Sequence, residues 1–503
     1  MQGEPSLHPM SPRPLLFLLG GALLLAGCRK DLRVTEDGVT LDFSRDTVLF
    51  DTVFTTLTTS VTKRFTVRNP DAQAVRVDIA LAGGAPSPFR INVDGLSGEH
   101  FEDVEIAGKD SAFIFVEVLP GAGGVNTPFL VEDHIRFNTN GVEQEVLLQV
   151  WGQDAVVYRP DQYVQGFPPF SYIAGGYDQN GNQICGQVVE WTPEKPILIL
   201  GYAVVDSCNA LVIHPGTRIH VHGGGGLWVY KNGRITAQGL VDQPIVFQGD
   251  RLEPAYQDLP GQWDRIWINE GDANQDNVFE HVQVRNALIG IQCETFPLDP
   301  LAPTSAARLV LNNVSIRNCS AAGILSRNYR ITSNNLLVAD AGQFCMALTG
   351  GGEYFFNHTT VANFWPFDVR NDPSFLLTNT YQGIDGAVQV RDITASTFQN
   401  GIIHGSNANE FLIELEPGGI TDYTFTNFLF RTDQPTGDAA HFPDQSSIIR
   451  NLNPAFVSSD DLHLTAGSPC IDRGINSTIE ALTDLDGQPR SFPPDLGCYE
   501  FVP

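Results

Sequence analysis

At 503 residues the chain is too long for one compact core and calls for two or more units. Apolar residues make up 42% and charged residues 17%, with 48 Gly and 32 Pro, which excludes a disordered or mainly helical chain and suits short strands joined by turns. The net charge of −28, with no local Lys/Arg run to offset it, excludes nucleic acid as a partner because such a field repels phosphate backbones.

The N-terminus reads "PLLFLLGGALLLAGC", with Arg13 ahead of an apolar run from Leu15 to Leu25 and small residues Ala26 and Gly27 before Cys28. A run of about eleven apolar residues is too short for a membrane-spanning helix, which needs roughly 20, so it reads as an export signal starting at Met10. Leu25-Ala26-Gly27-Cys28 resembles the lipobox of bacterial lipoproteins, in which the cysteine is acylated and begins the mature chain. The resemblance implies a signal peptide over 1–27, a palmitate-type anchor at Cys28 and a tether over 28–38. Arg29, where an Asp would favour inner-membrane retention, implies the outer membrane, facing the periplasm or the cell surface. Seven further cysteines suit an oxidising compartment, and their odd number leaves at least one thiol free or paired between chains.

Residues 39–155 alternate apolar and polar in short runs: "KRFTVRNP", "VRVDIAL", "FRINVDG", "SAFIFVEVL", "DHIRFNTNG" and "EQEVLLQVWG", preceded by "TLDFSRDTVLFDTVFTT". Period-two runs bounded by Asn-Pro, Asp-Gly and Asn-Gly turns predict an antiparallel, immunoglobulin-like (Ig-like) β-sandwich, with a core drawn from Phe65, Val67, Ile79, Phe113, Phe115, Ile135 and Leu148. Residues 156–200 are rich in turn and aromatic residues and read as a linker leading into the next unit. Within them "DQNGN", from Asp178, is oxygen-rich like a calcium loop but lacks the downstream bidentate Glu.

From 201 to 440 a phrase recurs: "EHVQVRN" (280–286), "NNVSIRN" (312–318), "NNLLVAD" (334–340) and "NHTTVAN" (357–363), with "TASTFQN" (394–400) a weaker copy. The step from Asn312 to Asn334 is 22 residues and from Asn334 to Asn357 is 23, a period that fits one coil of a parallel β-helix. Alternation places Val282, Val314, Leu336 and Thr359 in one inward column and Val284, Ile316, Val338 and Val361 in the next. Glu280, Asn312, Asn334 and Asn357 read as inward at the turn, the three asparagines forming a structural ladder. Asn286, Asn318, Asp340 and Asn363 end the strands, where these residue types tolerate left-handed backbone. His281, Asn313, Asn335 and His358, with Arg285 and Arg317, are expected to face outward. Cys293, Cys319 and Cys345 are evenly spaced, but the register puts them in different columns.

"RIHVHGGGGLWVY" (218–230) reads as strand, glycine corner, strand, with Ile219 and Val221 inward and Arg218, His220 and His222 outward. The two histidines and Asp178 are the candidate metal ligands, and no third partner for the histidines is identifiable. An esterase-like reading of the His-Gly run fails for want of a G-x-S-x-G elbow. No cofactor is called for beyond calcium at the Asp178 loop.

"IHPGTRIHVHGGGGLWVYKNGRITAQG", "DQPIVFQGDRLEP", "PGQWDRIWI" and "ALIGIQ" resemble the opening coils of right-handed parallel β-helix lipoproteins of bacterial envelopes, in the pectate-lyase-like superfamily. "DLHLTAGSPCIDRGIN" and "DLDGQPRSFPPDLGCYEF" resemble their C-terminal segment, here 441–503, and "DTVFTT" with "RFNTNG" an N-terminal domain found in some of them. The resemblance implies an all-β chain, an Ig-like sandwich followed by a right-handed parallel β-helix. It also implies a disulfide between Cys470 and Cys498, which stand where the family has small residues. The family carries no assigned reaction, and the N-x-D, D-D, G-H-G and R-I-K motifs of its pectin-hydrolase relatives do not occur here in that order, Asp460-Asp461 lying in the closing segment.

The expected function is a lipid-anchored envelope protein whose β-helix binds a glycan or an envelope protein without catalysis. A groove of His281, Arg285, Arg317 and His358, and aromatic positions Trp228, Trp263, Trp267 and Trp365, are the candidate contacts. The alternatives are a polysaccharide lyase or hydrolase, and a structural component of outer-membrane assembly.

Overall fold

A computed structural model describes residues 33–55, 61–118, 129–295, 302–383, 385–476 and 482–503. Cys28, the signal and the start of the tether lie outside them. The chain is all-β: apart from two short 3-10 turns at Pro254–Tyr256 and Gln445–Ser447, the elements among the described residues are strands. No helix there is long and apolar enough to cross a membrane. Two compact units are present, one of residues up to 50, 59–119 and 132–149, the other of 51–58, 120–131 and 150–503.

The smaller unit is built from two sheets. One runs Asp42–Phe43, Val61–Arg68, Ser111–Val118, Phe89–Val93, Leu96–Gly98 in spatial order, and the other runs Thr47–Leu49, Val142–Gln153, Phe129–Thr139, Val75–Leu81, His100–Ile106. Alternation supplies the faces between them, since Val75, Val77, Ile79 and Leu81 are buried while Arg76 and Asp78 are exposed. Phe137 of one sheet meets Phe43 and Phe65 of the other at ring separations of 4.9 and 6.4 Å, so the inner faces interdigitate.

Two expectations are corrected here. Pairing is not wholly antiparallel, because Thr47–Leu49 lies parallel to Leu147–Gln149. The run 40–56 is three strands rather than one, and the first and second join different sheets. Phe113 and Phe115 are not core: they are exposed, and Ala112, Ile114, Val116 and Val118 are buried. Every residue from 112 to 116 is apolar, so alternation fits either parity, and the cross-strand register decides it.

The larger unit is a 21-stranded parallel sheet in which, over 156–238, each strand pairs with the strand three further along the chain. Residues 156–200, read as a linker and the start of the next unit, supply its first four strands. Register rows run from strand to strand. Val282, Val314, Leu336 and Thr359 form one row, and Val284, Ile316, Val338 and Val361 another; all are buried. Stacking such rows buries a continuous apolar interior from Ala174 to Phe442, and no single strand pair would bury it alone.

The turn beside these rows differs from the sequence reading. Glu280, Asn312, Asn334, Asn357 and Gln399 share a register row. Asn357 donates from Nδ2 to Asn334 Oδ1 at 2.9 Å, and Gln399 donates to Asn357 Oδ1 at 3.2 Å. Glu280, Asn312 and Asn334 are only half-buried, however, and their position is not inward. The next residue in each copy, His281, Asn313, Asn335 and His358, has a positive φ between 48° and 54° and makes the corner. One left-handed residue interrupts the alternation, so Leu311 points in, Asn312 does not, and Val314 points in again. These corner residues form a second ladder: Asn335 Nδ2 donates to Asn313 Oδ1 at 2.8 Å, and Asn313 lies 3.3 Å from His281 Nε2. Asn286, Asn318 and Asp340 also have positive φ, and Asn363 does not.

The C-terminal segment packs on this face. Leu462, Cys498 and Tyr499 cover Leu337, Ala339 and Ala362, so Asn335 and His358, expected outside, are buried. Cys470 and Cys498 are not bonded to each other. They are free, buried thiols in separate apolar clusters, and burial pushes both up to about 12. The disulfide among the described residues joins Cys185 and Cys208 instead.

Candidate functional site

A cleft of about 540 Å³ opens on the outer face of the parallel sheet, where Trp228 and Trp267 meet in one register row. Leu227 and Val229 point into the core, so alternation turns Trp228 outward; Ile266 and Ile268 do the same for Trp267. Gly226 is required beside them. A Cβ there would lie 2.5 Å from the Arg265 carbonyl oxygen and 2.8 Å from the Tyr202 ring. The indoles stack at 4.6 Å with an interplanar angle of 10°. Phe167 lies over Trp228 at 5.7 Å, and Tyr230 meets it edge-on at 5.4 Å.

The polar wall is tied to these rings. Trp267 donates from Nε1 to Glu294 Oε1 at 2.7 Å, and Gln292 donates to the same oxygen at 2.9 Å. Arg327 pairs with Glu294 Oε2 at 3.1 Å. Arg265 pairs with Asp264 at 2.8 Å and also donates to Gln292 Oε1. Asp264 in turn accepts from Tyr202, whose hydroxyl proton is held more firmly through burial and that carboxylate. Trp228 Nε1 donates to Asn269 Oδ1 at 2.7 Å. Asn269 is 1% exposed and lines the cleft, and its Nδ2 has no hydrogen-bond partner among the described residues. The cleft therefore offers an apolar ring wall beside fixed, charge-balanced hydrogen-bonding groups. Among the described residues Glu294 is the one carboxylate lining it, and three donors already engage that group.

The predicted groove lies elsewhere. His281, Arg285 and Arg317 line a second cleft of about 860 Å³ between the sheet face and the C-terminal segment. His358 is not in it, being buried against the backbone of Asp495 and Gly497. Arg317 donates to the Asp460 carbonyl oxygen at 3.0 Å, and burial lowers the pKa of Arg285.

The metal candidates are dispersed. His220 takes the outer face as expected but is covered there: its ring lies 5.8 Å from that of Phe54, and burial pushes its pKa down to about 4. His222 is exposed and bound to Asp250 at 2.6 Å, a hydrogen bond that raises its pKa. Asp178 accepts from the backbone of Asn180 and Asn182, closing its own turn. No group of three His, Cys, Asp or Glu side chains suited to a metal occurs among the described residues.

Of the four tryptophans singled out in the sequence, Trp228 and Trp267 share the first cleft. Trp263 is core and Trp365 is tied to Asp368. Sequence reasoning missed Asn269, Gln292, Glu294, Arg265 and Arg327. The alternation of "DRIWIN" does turn Arg265, Trp267 and Asn269 to one face, and this was the available signal.

No protein-family model matches the chain, and no curated protein matches it. Among solved structures it is similar to the ASH/PapD-like domain 7 of human CEP192, at 10% identity and a TM-score of 0.16 over 26% of this chain and 94% of that one. It is also similar to the Escherichia coli chaperone DraB, at 13% identity and 0.17 over 24% of this chain and 56% of that one. A third is the CooA pilin subunit of enterotoxigenic Escherichia coli, at 11% identity and 0.18 over 23% of this chain and 99% of that one. Each likeness covers about a quarter of the chain.

Proposed function

We propose that this is a lipid-anchored protein of the bacterial outer membrane whose larger unit, a right-handed parallel β-helix, binds saccharides at the Trp228–Trp267 cleft without cleaving them. The observation that carries the reading is the pair of stacked indoles whose N–H groups are fixed by Asn269 and Glu294 beside two neutralised guanidiniums. A pyranose presents apolar C–H faces and a rim of hydroxyls, which matches a ring wall flanked by rigid donors and acceptors. Binding without hydrolysis is supported by the carboxylates, because glycoside hydrolysis needs a pair flanking the bond and the described residues lining this cleft include Glu294 alone, already engaged. Parallel pairing of each strand with the third one on, and register rows at the repeat period, support the β-helix. The lipobox at 25–28 supports the anchor.

A glycan array tests the binding. The protein is expected to retain one class of glycan and Trp267→Ala to lose it; an array silent for the wild type overturns the reading. Labelling with a fatty acid tests the anchor, with incorporation expected in the wild type and none in Cys28→Ala.

A further inference from the structure

We infer that the Trp228–Trp267 cleft is one part of a longer track that takes a neutral, linear oligosaccharide of at least two rings, laid along the stacking direction of the strands and passing over Phe167. The inference rests on the saccharide reading and adds the length, charge and direction of the ligand.

A second cavity of about 210 Å³ adjoins the cleft, and the two share Phe167, Trp228 and Tyr230. Phe167 stacks on Trp228 and so stands at the junction. Tyr172 and Tyr177 line the far side of the second cavity. The register gives the direction: Tyr172, Val204, Trp228, Trp267, Gln292 and Leu325 are aligned strand to strand in one row. Strands lie about 4.8 Å apart, so this row spans roughly 24 Å, several times the length of a single sugar ring. Phe167 is 42% and Tyr177 64% exposed. Large rings left this open along a row of polar and aromatic neighbours give successive sugar rings a platform.

Charge selects the class of sugar. Arg265 is matched by Asp264 and Arg327 by Glu294, so among the described residues the cleft has no unbalanced cation for a uronate or sulfate. The charged residue lining the second cavity is Asp206, which repels an anion further. Asn269 Nδ2, buried and lacking a partner among the described residues, is a donor suited to a neutral hydroxyl or ring oxygen.

The test is calorimetry on the full chain with cello-, xylo-, manno- and laminari-oligosaccharides of increasing length, and with oligogalacturonates as the charged control. At least one neutral series is expected to bind about tenfold more tightly as the trisaccharide than as the monosaccharide. Tyr177→Ala, at an exposed position, should keep the monosaccharide affinity and lose most of that gain, while Trp267→Ala loses both. Phe167→Ala provides a second exposed variant with the same expected loss of gain. Affinity independent of length, an unchanged gain in both tyrosine and phenylalanine variants, or oligogalacturonates binding as tightly as the neutral series each overturns the track while leaving the saccharide reading standing. Absence of binding by every neutral series overturns the track, and together with a silent glycan array it overturns both.

Discussion

His220 stays neutral in the folded protein because its ring is sealed between Phe54 and the Gly249 backbone, and its Nε2 has no hydrogen-bond partner among the described residues. Burial moves its pKa from 6.5 to about 4. A base whose folded-state pKa is depressed stabilises the fold above its unfolded pKa, and the contribution is lost as pH falls from 6.5 toward 4. Between pH 7 and pH 4.5 this one side chain should account for about 2 kcal/mol of lost stability. His220→Leu is therefore expected to flatten the acid limb by that amount in urea unfolding at the two pH values. An unchanged difference would show that the ring is hydrated. His404 and His358 are also held low by burial, so the variant should reduce the acid sensitivity without abolishing it. Local sequence showed that Ile219 and Val221 face inward, but the outer face of that strand is covered by Phe54, a residue remote in sequence. Alternation reports which side a residue takes; it says nothing of what later covers that side.

At the scale of the element, the corner at each repeat is one residue in left-handed conformation, and the sequence pair Asn312-Asn313 leaves open which of the two makes it. The structure assigns it to Asn313, φ 54°, and this has an energetic consequence. A β-branched residue at Asn313 pays about 1–2 kcal/mol for the backbone and about 1 kcal/mol for the lost bond from Asn335, while glycine pays only the second. Asn313→Val is expected to cost about 2–3 kcal/mol, Asn313→Gly about 1 kcal/mol, and Asn312→Val about 1 kcal/mol or less, ranked by equilibrium unfolding. If Asn312→Val proved the costlier, the corner would belong to Asn312. The same ambiguity explains Phe113 and Phe115: a strand apolar at both parities has no legible inside. The columns Val282–Val314–Leu336 and Val284–Ile316–Val338 were legible because Gln283 and Ser315 separate the apolar pairs of the first two copies, and the repeat carries that parity across the apolar Leu337 of the third.

At the scale of the larger unit, four copies of one phrase made the rows between 280 and 363 visible, whereas Trp228 and Trp267 belong to strands with no common phrase, separated by the turns and loop between 230 and 262. Row membership there follows from the stacking of the whole array, so the cleft was legible only as two tryptophans. The same stacking sets how damage spreads. Each row is held by the rows on either side, so stability is close to a sum of row terms and nearest-neighbour terms. Leu336 is fully buried between Val314 and Thr359 in the middle of the array, and Leu336→Ala should cost about 2–5 kcal/mol. Ile197 is also buried but belongs to the first rows, pairing with Val156 and Ile219. A cavity at Leu336 weakens the interfaces on both sides and should raise amide hydrogen exchange across Asn277–Arg285, Arg308–Cys319 and Phe344–Asn363 together. Ile197→Ala should raise exchange in Val156–Tyr158 and Ile197–Ile199 and leave 277–363 protected, because only an end row frays. Equal, array-wide loss of protection in both variants would mean that the unit opens as one cooperative block, and that the rows are not independent carriers of its stability.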